Sequence, residues 1–80
     1  MRLPRDLSAA DLIKALHRFG YKPTRQTGSH VRLTTAAPIP HHITVPAHDS
    51  LRVGTLASIV ASIAQSQKLS REEVVRRLFE

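Results

Sequence analysis

The dipeptide Gly28-Ser29, set between two stretches of alternating residues, constrains this chain more than any other feature. A two-residue hairpin loop needs a positive φ at its first central position, which glycine supplies without steric penalty. With Gly28-Ser29 as the loop, the spacing predicts Thr27 opposite His30, Gln26 opposite Val31, Arg25 opposite Arg32 and Thr24 opposite Leu33. Val31 and Leu33 then face a core, and His30, Arg32 and Arg25 share the open face. Two arginines directly across a sheet destabilise it unless something negative lies between or above them. The register therefore predicts an anion-binding face with a histidine on it, the residue set of a site that acts on a phosphodiester.

The flanks complete a small α+β pattern. Before the hairpin, Ser8 reads as a helix N-cap with Asp11 three residues on, and Leu7 is poised to staple onto Leu12. Leu12, Ile13, Leu16 and Phe19 form one apolar stripe, Lys14 and Arg18 project away from it, and Gly20 fits the C-terminal cap, which predicts a helix over 9–19. Pro23 has no N–H to donate, so the first strand belongs at a sheet edge. Residues 36–40, with two alanines and two prolines, read as a loop. His42-Ile43-Thr44-Val45 alternates again, with His42 and Thr44 outward, and Pro46 ends that strand. Leu56, Ile59, Val60 and Ile63 recur at helical spacing behind Gly54-Thr55, with Thr55 as the expected N-cap. Ser70-Arg71-Glu72-Glu73 gives a full capping box ahead of a third helix. The predicted architecture is a three-stranded antiparallel sheet with helices packed on one face, in the order α-β-β-β-α-α.

Charge bears on the partner. Twelve Lys and Arg stand against six acids, a formal charge of +6. That excess on 80 residues favours a polyanion, nucleic acid or an acidic protein ahead of membrane, over a merely soluble basic domain only if the cations cluster. The absence of cysteine excludes disulfide scaffolds, thiolate nucleophiles and cysteine-based zinc sites, and fits a reducing cytosol. No apolar run is long enough for a membrane span, and the charged lead Met1-Arg2-Leu3-Pro4-Arg5-Asp6 does not read as a signal peptide. One soluble, cytoplasmic domain over 1–80 is expected.

His41, His42 and His48 invite a metal reading. Adjacent strand residues point to opposite faces, so His41 and His42 do not share an ion on a regular strand, and no metal or other cofactor is expected. His48 is placed at the rim of the site instead. A histidine after a hairpin turn is ordinarily a solvated strand residue, and Arg25 and Arg32 read alternatively as an ordinary edge. Gly28 is required by the turn whatever the function.

The run Arg25-Gln26-Thr27-Gly28-Ser29-His30, together with Gly20-Tyr21, Val45-Pro46-Ala47-His48, Gly54-Thr55-Leu56 and Leu69-Ser70-Arg71-Glu72-Glu73, resembles the HicA-type toxins in order and spacing over nearly the whole chain. Pro23 and the proline loop depart from the family pattern, and neither touches Gly28-Ser29-His30. The resemblance implies a fold similar to double-stranded-RNA-binding domains, an mRNA interferase activity that halts translation and growth, and inhibition by a HicB-like antitoxin over the site around His30. It carries the family's catalytic histidine onto His30 and onto no other position. Lys22, Arg25, Gly28, Ser29 and Arg32 are the expected RNA contacts, and the free toxin is expected to be monomeric. Chemistry agrees with that implication: RNA brings its own 2′-hydroxyl nucleophile, so a base near neutrality and cations for the phosphate suffice without a metal, with His30 as general acid or base and His48 or solvent as the second group. Two other readings use the same residues. A non-catalytic RNA-binding module makes His30 dispensable. A helix-turn-helix built from the last two helices leaves the hairpin without a role.

Overall fold

A computed structural model of the chain describes residues 3–37 and 39–80. Met1 and Arg2 of the charged lead, and Pro38 of the proline loop, lie outside the described residues. The order is α1 (Ala9–Leu16), a 3-10 turn (His17–Phe19), β1 (Lys22–Thr27), β2 (His30–Thr35), β3 (His41–Pro46), α2 (Val53–Gln67) and α3 (Arg71–Phe79). The strands form one antiparallel sheet in the order β1-β2-β3. Proline-bearing β1 is an edge strand, as its missing N–H requires. α1 lies against β1 and β3, α2 against β3, and α3 packs on α1, α2 and the 3-10 turn. The α-β-β-β-α-α reading thus holds.

The core lies between the sheet and the helices. Leu12 and Leu16 from α1, Leu33 and Val45 from the sheet, Leu56, Val60 and Ile63 from α2, and Val74 and Leu78 from α3 are all buried. Each such side chain contributes about 1.5–3 kcal/mol by leaving water. Tyr21 is also fully buried.

Helix ends show where local chemistry acts. Ser8 Oγ accepts from the Asp11 N–H at 3.0 Å, as its N-cap position predicts. α1 stops three residues short of the predicted Phe19 and tightens into the 3-10 turn, because Gly20 takes a left-handed φ of 79°. The Gly20 N–H then donates to His17 O and the Tyr21 N–H to Leu16 O, which satisfies the terminal carbonyls. The positive φ calls for glycine there, and a Cβ would also sit tightly, 3.2 Å from Thr35 Oγ1.

Two cap assignments change. α2 begins at Val53 with Arg52 as its N-cap and no side-chain cap bond, not at Thr55. Leu51 is buried and its N–H donates to Leu7 O at 2.8 Å, so the chain turns into the helix directly behind that anchor and Thr55 falls inside the first turn. At α3, Ser70 Oγ accepts from the Glu73 N–H at 3.1 Å, which is one half of the predicted capping box. The Glu73 carboxylate turns instead to Arg76 and Arg77, both at 2.8 Å. The hydrogen bond from Arg77, with Arg76 beside it, holds the Glu73 carboxyl below its ordinary pKa.

Candidate functional site

The hairpin closes as its loop chemistry dictates. Gly28 has φ 53° with open space around it, so only its backbone conformation calls for glycine. Thr27 pairs with His30, Gln26 with Val31 and Arg25 with Arg32, as the loop predicts. The next pairing differs. Leu33 stands opposite Pro23, not Thr24, because Thr24 is an extra residue in a bulge. The Thr24 hydroxyl reaches the Arg32 carbonyl at 3.4 Å and the Thr34 hydroxyl at 3.0 Å, which ties the bulge to β2. Pro23 has no N–H for a regular ladder, so irregular pairing is least disruptive beside it.

The bulge decides which β1 residues join the open face. Unbroken alternation from Arg25 would send Lys22 toward the core and Tyr21 toward solvent. The extra residue reverses that parity, so Lys22 stands opposite Thr34 and Tyr21 is buried. Three cross-strand rows then share the open face. The first is Thr27, His30 and Pro46, the second Arg25, Arg32 and Thr44, and the third Lys22, Thr34 and His42. The expected site residues His30, Arg25, Arg32 and Lys22 are therefore on one surface, with Gly28 and Ser29 at its end. His42, Thr34 and Thr44 stand with them. Their outward alternation was the available signal.

His30 opens β2 and is exposed. The Ser29 hydroxyl lies 3.4 Å from its Nδ1, and among the described residues no protein group bonds Nε2. Arg32 is half-buried and Arg25 exposed. The sequence has no Asp or Glu between Asp11 and Asp49, so the sheet carries no carboxylate of its own. Ion pairs among the described residues all involve Glu73 on α3. The arginine pair and Lys22 thus face solvent without a protein counter-ion, in the arrangement that favours an external anion.

His41 has a different surrounding. It is half-buried, with the Tyr21 hydroxyl 2.8 Å from Nδ1 and the Ser62 hydroxyl 3.1 Å from Nε2. The Tyr21 and His41 rings meet edge to face, centroids 5.9 Å apart. A neutral imidazole donates at one nitrogen and accepts at the other, so the two hydroxyls satisfy it. Burial holds the His41 imidazole below its ordinary pKa, and neighbouring His42 lowers it further. Burial likewise pushes the Tyr21 phenol up. His41 therefore pins β3 to α2 while His42 stands on the open face, the opposition that strand alternation predicts. His48 is exposed; its carbonyl accepts from the Ala9 N–H at 3.0 Å, and the Ala47 N–H bonds Ser29 O at 2.6 Å. That second bond brings the segment carrying His48 alongside the hairpin tip.

Hollows between α2 and α3 (about 660 Å³), beside His41 and α2 (about 350 Å³) and between α1 and α3 (about 440 Å³) are lined without His30, Arg25 or Arg32. The residues of the open sheet face line none of these three hollows. No helix of the described residues is long and apolar enough to cross a membrane.

Residues 9–67 match the family model described as HicA toxin of bacterial toxin-antitoxin. No curated protein and no solved structure matches the chain.

Proposed function

The chain belongs to the HicA toxin family, and from that membership we propose that it is a metal-independent endoribonuclease that cleaves mRNA and arrests growth. The observation that carries the reading is the second row: Arg25 and Arg32 paired across the sheet, one row from exposed His30, on strands without a carboxylate. Arginine binds phosphate oxygens through a planar fork of donors and stays charged at any physiological pH. The pair binds the scissile phosphate and stabilises the charge that gathers on its oxygens. His30, in its neutral form, takes the proton of the 2′-hydroxyl. The 2′-oxygen then bonds to phosphorus, the bond from phosphorus to the 5′-oxygen breaks, and that oxygen receives a proton from solvent. The products are a 2′,3′-cyclic phosphate and a 5′-hydroxyl end. Gly28 and Ser29 set the position of His30, and Lys22 adds a phosphate contact.

The partner follows from the same surface. A HicB-like antitoxin that presents carboxylates or carbonyls to the arginine row and covers His30 would supply the missing counter-charge and block RNA at once.

The test is end-group analysis of RNA digested in the presence of a chelator, with growth of cells expressing the chain alone as its companion. Cyclic phosphate ends and arrested growth are expected, both lost in His30→Ala. Products bearing a 5′-phosphate, or cleavage abolished by chelator, would overturn the proposed chemistry.

A further inference from the structure

Resting on the ribonuclease reading, we infer that RNA is gripped on only one flank of the scissile phosphodiester, with Lys22 and His42 forming a distal phosphate subsite across Thr34. The three rows are ordered, and His30 is at one end. From His30 along β2 come Arg32 and then Thr34; from Thr27 back along β1 come Arg25 and then Lys22; from Pro46 back along β3 come Thr44 and then His42. Every cation of the open face therefore lies on the same side of His30. Residues two apart on a strand are separated by about 6.8 Å, close to the span between successive phosphates of an extended single strand. The row of His30 takes the reacting phosphate, the arginine row braces it and the next, and the third row takes the one after.

The other side of His30 is built differently. The sheet ends there at the Gly28-Ser29 tip and at Pro46, tied together by the Ala47 N–H to Ser29 O bond. The chain beyond carries charges of both signs, Asp49 and Arg52, and folds back against the N-terminal segment with Arg5 and Asp6, where the Ser50 hydroxyl donates to Asp6 Oδ1 at 3.4 Å. Among the described residues those four charges sum to zero and offer no graded track. The open face also has no Phe, Tyr or Trp: Tyr21 is buried, and Phe19 and Phe79 pack against the core. Without these stacking platforms, holding the strand falls to phosphate contacts more than to bases.

The decisive substrates are deoxy strands with a single ribonucleotide, so that one bond is open to cleavage, extended by one to four nucleotides on the 5′ or the 3′ side. Two added phosphates on one flank are expected to raise kcat/KM about tenfold, and on the other less than twofold. In the Lys22→Gln, His42→Gln double variant the gain from the second added phosphate should fall below about twofold, while the first stays with the arginine row. Equal gains on both flanks, or a second-phosphate gain that survives in the double variant, would overturn the inference. Uncleavable 2′-O-methyl strands separate this from the ribonuclease reading. If nothing is cut, that reading falls, while an affinity gain with length that the double variant loses still supports the Lys22 and His42 subsite. A gain indifferent to both substitutions overturns it.

Discussion

At the scale of single residues, three positions show how backbone and protonation requirements separate from packing. Gly28 has positive φ and open space, so Gly28→Ala should cost about 1–2 kcal/mol, while Gly28→Asn, whose side chain tolerates the left-handed region, should cost less; urea unfolding of the two variants checks the order. Lys68 caps α2 with a left-handed φ of 58°, and the Leu69 N–H bonds Ala64 O behind it at 3.0 Å. Lys68→Gly should stabilise the fold by about 0.5–1 kcal/mol, and a lowered thermal midpoint would contradict the assignment. His41 gives the pH dependence. Its imidazole pKa is held below the ordinary value in the folded state, so between those values the unfolded chain binds more protons. Its contribution is complete above the ordinary histidine range and is lost as pH falls through that range toward the folded value. Urea midpoints from pH 7.5 to 5 should decline more steeply for the parent than for His41→Gln, and equal slopes would assign the acid sensitivity elsewhere.

At the scale of elements, local pattern was legible wherever one short-range rule decided the outcome. The Gly28-Ser29 loop set the register through Arg25 and Arg32, Ser8 and Ser70 marked their helix starts, and Gly20 marked its stop. What was not legible depended on contacts distant in sequence. The Thr24 bulge follows from placing Tyr21 in the core against His41, a pairing twenty residues apart, and it alone explains why Lys22 joins the open face. The start of α2 follows from Leu51 being held by Leu7. Arg18 read only as projecting away from the apolar stripe, yet its Nη1 lies 3.2 Å from the carbonyl oxygens of Arg77, Leu78 and Glu80. A cation at a helix C-terminus satisfies orphan carbonyls and opposes the helix dipole. Arg18→Ala should lower stability by about 1 kcal/mol and speed amide exchange at the end of α3. Unchanged exchange there would show that α3 is held by Val74 and Leu78 alone.

At the scale of the whole molecule, charge is sorted between the layers. Glu73 pairs with Arg76 and Arg77 on α3, whereas Lys22, Arg25 and Arg32 stand on a sheet without acids. RNA affinity should therefore fall with salt through the sheet cations. Replacing all three by Gln should reduce the slope of log K against log salt by about 2, at roughly 0.7 per single-strand phosphate contact, while Arg76→Gln with Arg77→Gln should leave it nearly unchanged. Equal losses from the two sets would place the RNA on the helical side. The proposed cleavage rests on one exposed side chain that the core does not need, His30. The most direct measurement is single-turnover cleavage of saturating RNA in chelator by the parent and by His30→Ala, after both show the same unfolding midpoint. A rate loss of at least about 100-fold is the predicted result; equal rates from two equally folded proteins would contradict it.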